Sequence, residues 1–496
     1  MAGIKAARIL ENAGLNVTIL EGRHDRYGGR IWTNYEAMNG STGAEVDMGA
    51  SWICDDGIKN TGMKLSLAQK IPTVFSDFLN PILYHGNDSR VHDDDWKNIY
   101  KDYRRLMFDE LPLSIENWDP TTKKNLKITD GDISLKVAIR TLGYSKLLSD
   151  PVFAFLNSHL IEADIGAEMG LTSAKMFEDI TAKNTRIIPQ GYAVILKPLV
   201  DGSNGQEQPL KILLDKEVIS IKFDKNYKIN ETDRWLRITT KKGDLFKSRA
   251  VIITVPLGVL KANTIIFDEK LISRNVKRSI GKLGFGLMNK IHLKFNEIFW
   301  PKSYHAFGLL PNKDSCKYIK EVRKNPKRKH ISNANNCSEL DASLYHSWIN
   351  GYLYTGQKVL IGYATGKAAR LTEALSDDNI KNIALDKLRE IFGKKKLNKI
   401  KVAAMVRTKW LQDRFARGTW TYHPTGSTSA DLESFSQIKG PLFIAGEHTN
   451  PENYGTVTGA HNSGIRAARA VLDYLYKNYH HEYSLENIDP NLINID

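Results

Sequence analysis

The stretch MAGIKAARILENAGLNVTILE, residues 1–21, decides the fold of this 496-residue chain. Apolar residues recur with a helical period over 4–13, Gly14 ends the helix, and residues 17–20 form a short apolar strand that is followed by Glu21. In parallel α/β units, an acid at the end of the strand after the first helix binds a ribose. The stretch therefore predicts part of a dinucleotide-binding unit.

The helix begins where the last positions of a G-x-G-x-x-G motif would stand, with Gly3 as its final glycine. The preceding strand and the first two glycines would lie upstream of residue 1. We therefore expect the printed chain to start inside the motif, without the first strand of the unit. Gly28, Gly29 and Arg30 follow, and bare backbone beside a positive charge suits a phosphate.

Strands of the same type return in the middle and at the end of the chain. We predict them over 212–221, 235–239, 250–254 and 442–445, with a long helix over 457–476. A second set of strands is predicted over 290–295, 344–350 and 359–363, and an amphipathic helix over 380–392. The predicted division is a discontinuous first domain of residues 1–75, 188–280 and 430–478, a second domain of residues 76–187 and 281–429, and a polar tail of residues 479–496.

The composition is that of an ordinary globular protein, with 42% hydrophobic and 25% charged residues and no apolar run long enough to span a membrane. The three cysteines, Cys54, Cys316 and Cys337, have neither metal-ligand spacing nor an even count for disulfides. The first residues lack the apolar core of a signal peptide. We therefore expect no metal, no membrane contact and a reducing, cytoplasmic location.

The formal net charge is +14, and part of it is concentrated in residues 313–329, where eight Lys or Arg stand against two acids. Such a stretch is either a contact for an acidic partner or a solvated loop insertion. No nucleic-acid motif accompanies it, so we favour the loop and expect no nucleic-acid partner.

Further motifs are distributed in order along nearly the whole chain. They are Met1-Ala-Gly3, Leu20-Glu21, Gly28-Gly-Arg30, Gly49-Ala-Ser-Trp52, Pro189-Gln-Gly-Tyr192, Val255-Pro-Leu-Gly-Val-Leu260, Lys290, Trp410, Gly418-Thr-Trp420, Gly446-Glu-His-Thr449 and Gly459-Ala460. This ordered set resembles the FAD-dependent amine oxidases, which include polyamine oxidases, monoamine oxidases and lysine-specific histone demethylases. Among these subfamilies the chain looks most similar to polyamine oxidases.

The resemblance implies an α/β fold in which a doubly wound FAD-binding domain is interleaved with an α+β substrate domain whose mixed sheet roofs the flavin. By resemblance, Glu21 binds the adenosine ribose, Arg30 the pyrophosphate region and Val218 the adenine, while Glu447 lies beside the pyrophosphate and ribityl chain and Val457 beside the flavin ring. The other expected cofactor contacts are Gly3, Gly28, Gly29, Ser51, Trp52 and Thr456.

Three residues resemble the family's catalytic set. Lys290 is expected to hold a water against flavin N5, and Trp410 and Trp420 to lie near the flavin. Thr456 stands where monoamine oxidases carry the second aromatic residue of their amine cage. Thr419 stands where they carry the cysteine that tethers the cofactor, so we expect noncovalent FAD.

The expected reaction is oxidation of a polyamine, such as spermine, spermidine or an acetylated form, by hydride transfer to flavin N5. The products are an imine that hydrolyses to an aldehyde, a shorter amine, and H2O2 from O2. Four acids, Asp55, Asp56, Glu162 and Asp164, are candidates for binding the distal ammonium groups; the alternative is that they are ordinary surface acids.

Two other functions remain open. An L-amino-acid oxidase would need an arginine to clamp the substrate carboxylate, and the sequence alone does not place one. An inactive, amine-oxidase-like binding protein would follow if the incomplete nucleotide motif prevented FAD binding. The long helical insertion of the histone demethylases has no counterpart, which disfavours a chromatin substrate.

Overall fold

The computed structural model describes residues 1–36, 38, 45–54, 57, 59–78, 80–111, 131–177, 184–202, 208–224, 235–311, 337–438 and 440–479. The candidate acids Asp55 and Asp56, the basic stretch 313–329 and nearly all of the predicted tail lie outside the described residues.

Two parallel strand pairs join distant parts of the chain. Ile19–Leu20 pairs with Ile212–Leu213, and Val251–Ile253 pairs with Leu442–Ile444. The first helix, Ala2–Asn12, packs against the last helix, Val457–Tyr479, through small and aliphatic side chains of both. The start, middle and end of the chain therefore share one core, as the interleaved pattern predicted.

The strand predicted over 212–221 is wrong as a single element. The structure divides it into Ile212–Leu213 and Val218–Phe223, which belong to different sheets. Between them Asp215 has φ +59°, and its N–H donates to Arg23 O at 2.7 Å, which turns the chain. Val218–Phe223 lies instead in a four-stranded sheet, whose strand order is Leu245–Ser248, Leu236–Thr240, Val218–Phe223 and Ile266–Phe267.

A seven-stranded sheet, here called the roof sheet, dominates the second half of the fold. Its strand order is Val402–Arg407, Met288–Phe295, Val359–Thr365, Leu344–Asn350, Ala306–Leu309, Ile82–Gly86 and Ser89–Arg90. Neighbours are antiparallel except Ala306–Leu309 with Ile82–Gly86, so the sheet is mixed. The helix Asp377–Phe392 packs on it through the apolar face that the sequence predicted.

Three small antiparallel sheets connect these layers. They are Trp52–Ile53 and Val74–Phe75 on either side of Arg186–Ile187, Thr33–Asn34 with Val46–Asp47, and Gly284–Phe285 with Thr421–Tyr422. The remaining α-helices are Thr61–Ala68, Asp93–Arg104, Leu135–Thr141, Pro151–Leu156, Ala163–Ile165, Lys197–Asp201, Leu257–Lys261, Arg274–Lys282, Cys337–Ala342, Tyr352–Thr355, Gly366–Ala374, Lys394–Leu397 and Ser429–Glu433.

Several helical segments depart from α geometry. The π-helical segments are Arg105–Glu110 and Asn157–Glu162, and the 3-10 helices are Leu147–Ser149, Tyr192–Leu196, Ser434–Gln437 and Glu447–Thr449. Among the described helices, none has the length and apolar character needed to cross a membrane.

Candidate active site

A cavity of about 550 Å³ lies between the parallel strand pair of Ile19–Leu20 and Ile212–Leu213 and the roof sheet. One part of its lining includes Glu21 and Val218, and another includes Lys290, Tyr363 and Trp420. Its volume is in the range typical of sites that hold a small molecule or cofactor.

The first and the last of the described helices begin at this cavity. Gly3, in the first turn of Ala2–Asn12, and Val457, the first residue of Val457–Tyr479, both line it. The first N–H groups of a helix have no partner within the helix, so both ends suit electron-rich oxygens. Thr456 lines the cavity as well, and its Oγ1 accepts from the Gly459 N–H at 2.9 Å, so it also caps the last helix.

The glycine pair at Gly28 and Gly29 adopts left-handed backbone, with φ +102° and +63°. A Cβ on Gly28 would lie 2.8 Å from both Ile31 O and a methyl of Leu196, so this position accepts only glycine without a shift. Arg30 follows at once and lines the cavity.

Arg30 is paired with Glu447, the acid predicted to lie beside the pyrophosphate and ribityl chain. Its Nη1 donates to Glu447 Oε1 at 2.8 Å and to Thr419 O at 2.6 Å. Glu447 also accepts from the Gly455 N–H at 2.7 Å and from Thr421 Oγ1 at 3.0 Å. Burial acts to raise the pKa of Glu447, but Arg30 and these hydrogen bonds outweigh it and hold the pKa below its usual range.

Glu21 and Val218 line the same region. Glu21 Oε1 accepts from the Arg23 N–H at 2.9 Å, and burial raises the pKa of this carboxyl. Val218 is the first residue of its strand, which leaves its backbone at the edge of the cavity. A carboxylate beside a strand end can accept hydrogen bonds from ribose hydroxyls.

Lys290 projects from the roof sheet onto the segment that carries Ser51 and Trp52. Its Nζ donates to Gly49 O at 2.6 Å, to Asp47 O at 3.2 Å and to Ser51 Oγ at 2.5 Å. The ammonium also lies 5.1 Å from the centre of the Trp52 ring. Burial lowers the pKa of Lys290 to about 8, with the negative charge of Asp47 opposing the shift.

The tryptophans hold different positions around the cavity. Trp420 Nε1 donates to Asp164 O at 2.6 Å, which ties its ring to the helical wall. Trp410 is buried, donates to Met48 O at 3.1 Å, and meets Trp32 edge to face. Both line the cavity, so each has contact area for a ligand in addition to its packing role.

The two described candidate acids are only two residues apart but point to different places. Asp164 lines the cavity. Glu162 is buried away from it and accepts from Ser343 Oγ at 2.5 Å, with Asn157 and Thr365 also bonded to its carboxylate. Glu162 is therefore neither a surface acid nor part of the cavity lining, because residues two apart on a helix face nearly opposite sides and Glu162 is on the side that faces the core.

Sequence reasoning missed many lining residues, and three of them, Phe78, His159 and Tyr363, lie near Lys290 and Trp52. Tyr363 pairs directly with Lys290 across the roof sheet, so the strand register could have identified it. His159 is fixed by Ser347 Oγ and Phe78 O, each at 3.0 Å, and burial lowers its pKa to about 4, which keeps the ring neutral. The sequence carries no signal for His159, because a single histidine in a helix is usually structural.

The residues present fit an FAD molecule. A dinucleotide requires an acceptor for its ribose hydroxyls and donors for its phosphates. Glu21 can accept from the ribose, and the backbone at Gly28 and the N-termini of the first and last helices can donate to the phosphates. Thr419 has a buried hydroxyl where a tethering thiol would stand.

Comparison with known proteins agrees with this geometry. A model of the flavin containing amine oxidoreductases matches residues 1–472. Polyamine oxidase 5 of Oryza sativa subsp. japonica is 29% identical, over 96% of this chain and 86% of the relative. Polyamine oxidase 2 of Arabidopsis thaliana is 26% identical, over 94% of this chain and 85% of the relative. Lysine-specific histone demethylase 1 homolog 2 of Arabidopsis thaliana is also 26% identical, over 96% of this chain and 58% of the relative.

A solved structure of a putrescine oxidase double mutant, redesigned in its cofactor binding, matches with a TM-score of 0.66 at 17% identity. The match covers 95% of this chain and 97% of the other, and it confirms the predicted fold class. Because the family match extends over nearly the whole sequence, the chain belongs to the flavin containing amine oxidoreductases and is an FAD-dependent oxidoreductase.

Proposed function

We propose that the protein oxidises a polyamine such as spermine, spermidine or an acetylated form, and releases an aldehyde, a shorter amine and H2O2. The observation that carries this proposal is the chemistry of the amine end of the cavity, by which we mean the lining from Trp52, Phe78, Asp164, Lys290, Tyr363 and Trp420. It is aromatic, and Asp164 is its one acid among the described residues.

The cavity's arginines argue against an amino-acid substrate. The described lining includes Arg23, Arg30 and Arg414, and each is paired, with Asp413, Glu447 and Glu217 respectively. None of these three belongs to the amine end. An L-amino acid would bring a carboxylate to that end, where the nearest cation, Lys290, already donates all three of its N–H groups to the protein.

The same features favour a long amine. Asp164 can accept one distal ammonium group, while the aromatic rings enclose the alkyl chain and exclude water. The reacting nitrogen has to be neutral, and the positive charge of Lys290 disfavours a second cation beside it. A polyamine satisfies both conditions because it has several nitrogens along one flexible chain.

FAD, when bound, supplies the hydride acceptor and passes the electrons to O2. The chain's own contribution is alignment and charge. Trp420 and Tyr363 restrict the amine, and Lys290 places a positive charge at the reacting end. We also propose that FAD is held noncovalently, since Thr419 has no thiol with which to form a bond.

The test begins by loading the purified protein with FAD and recording its flavin absorbance. The peroxide released is then measured with spermine, spermidine, their acetylated forms, a panel of amino acids and a methylated lysine peptide. We expect spermine or spermidine to be the best substrate. Faster turnover of any amino acid or of the peptide would reject the polyamine assignment. A chain that binds FAD but oxidises none of them would be an inactive binding protein.

A further inference from the structure

A second, smaller cavity of about 50 Å³ lies beside Lys290 and is separate from the large one. Its buried inner part includes Ser51, Lys290 and His292, and its half-buried outer part includes Glu45 and Gln357. Ser51 and Lys290 line both cavities. The small cavity therefore leads from partly exposed polar residues to the central lysine by a route other than the amine end.

The inner end of the small cavity has polar partners for water, while most of the remaining lining is apolar. His292 is buried, and its Nε2 has no hydrogen-bond partner among the described residues. Lys290 and His292 stand two residues apart on one strand, so both face the same side of the roof sheet. A buried ring nitrogen without a protein partner is ordinarily satisfied by ordered water. At about 15 Å³ for each water, a cavity of this size holds about three.

We propose that this cavity is a water-filled passage through which Lys290 exchanges its proton with solvent, and that His292 positions the innermost water. The Lys290 ammonium gives a proton to Ser51 Oγ while the Ser51 hydroxyl, which donates to Gly49 O at 3.3 Å in this structure, turns and gives its own proton to the first water. Each following water passes one proton outward toward Glu45 and Gln357. Lys290 is left as a neutral amine, and the proton is recovered by the reverse sequence.

The electrostatic surroundings support such exchange. The pKa of Lys290, lowered to about 8 by burial, puts both of its protonation states within reach near neutral pH. Burial and Lys290 lower the pKa of His292 well below its usual range, so the ring is neutral and can bond to water without adding charge. Titratable groups surround the passage on several elements. They are Glu45 and Asp47 at the strand Val46–Asp47, His292 on the strand of Lys290, Tyr363 on the neighbouring strand and Tyr354 on the helix Tyr352–Thr355.

The experiment compares crystal structures of the FAD-loaded protein with His292 unchanged, with His292→Phe and with His292→Gln. We expect two or three ordered waters in the unchanged protein, one within about 3.2 Å of His292 Nε2. His292→Phe should lose that water, and His292→Gln should keep one. An empty cavity in the unchanged protein, at a resolution that shows buried waters elsewhere, would overturn the proposal.

The second readout is the pH profile of the flavin half-reactions. We expect His292→Phe to slow the proton-coupled half-reaction by about tenfold with little change in KM, and His292→Gln to restore most of the rate. Ile361→Phe, which fills the passage from the strand opposite His292, should have the same effect as His292→Phe. Unchanged rates and pH profiles in both phenylalanine variants would refute the proton route.

The proton route rests on the proposed role of Lys290, whereas the water positions do not. If waters are present but Lys290→Met leaves both half-reactions unchanged, the catalytic role of Lys290 fails. If Lys290 matters but the cavity is dry, only the passage fails.

Discussion

Lys290→Met is the substitution for which the structure gives the clearest magnitude. The side chain is 6% exposed, and its ammonium bonds to two backbone carbonyls and to Ser51 Oγ. Methionine has nearly the same length and fills the same space without a charge. The comparison therefore isolates the effect of a titratable, buried ammonium at this position.

The sign of the effect follows from the pKa. Burial lowers the pKa of Lys290 from 10.5 to about 8, against the opposing influence of Asp47. Between these two values the unfolded chain binds more protons than the folded one, so stability rises as pH increases through this window. At about 1.36 kcal/mol per pH unit, the contribution of Lys290 to the free energy of unfolding changes by about 3.4 kcal/mol in total. About 2 kcal/mol of this change occurs between about pH 7 and about pH 9.5.

The assay is urea unfolding of the unchanged protein and the variant at both pH values. We expect the unfolding free energy of the unchanged protein to gain about 2 kcal/mol relative to Lys290→Met as pH rises. Lys294→Met is the matched control, because Lys294 lies on the same strand and face but is only half-buried, and its variant should follow the unchanged protein. If the free energies of unfolding of the unchanged protein and of Lys290→Met change with pH in the same way, the lowered pKa assigned to buried Lys290 is refuted. Separately, the variant should retain FAD and slow flavin reduction or reoxidation.

Three further substitutions test other parts of the molecule. Asp164→Asn should raise KM for polyamines by about 10- to 100-fold, since a charge-assisted hydrogen bond contributes about 1.5–3 kcal/mol. The measurement is a steady-state peroxide assay, and an unchanged KM would show that Asp164 does not bind the substrate. Glu447→Gln leaves Arg30 without its carboxylate and should weaken FAD binding by about tenfold or more in a fluorescence titration, whereas equal affinity would show that the pair is only structural. Lys387→Met leaves the buried Asp341 with His346 Nε2 at 2.9 Å but without its lysine, and should lower the free energy of unfolding by about 3 kcal/mol; a nearly neutral result in chemical unfolding would contradict this.

The strands that sequence reasoning found are those with strong local patterns. The strand predicted over 290–295 is observed as Met288–Phe295, and the helix predicted over 380–392 is observed as Asp377–Phe392. Ile82–Gly86 and Ala306–Leu309 were not predicted, because both are short and owe their pairing to partners far away in the chain. Local periodicity carries no information about such contacts.

The site shows the same division between local and distant information. Glu21, Arg30, Lys290 and Trp420 were predicted from motifs, and the structure brings them to one cavity, where their individual roles stay predictions. The spacing of Glu162 and Asp164 predicts only that the two acids face nearly opposite sides of a helix. Which of them faces the cavity depends on residues far away in the chain, such as Ser343 and Thr365, which donate to Glu162.

The three hydrogen bonds of Lys290 also restrict how the enzyme can open. They join the roof sheet to Asp47, Gly49 and Ser51, so the ammonium is a clamp between two walls of the large cavity. Separating these walls would break three bonds to a charged group, each contributing about 1.5–3 kcal/mol. The Lys290 ammonium therefore opposes any entry of an amine that would draw the roof sheet away from residues 47–51.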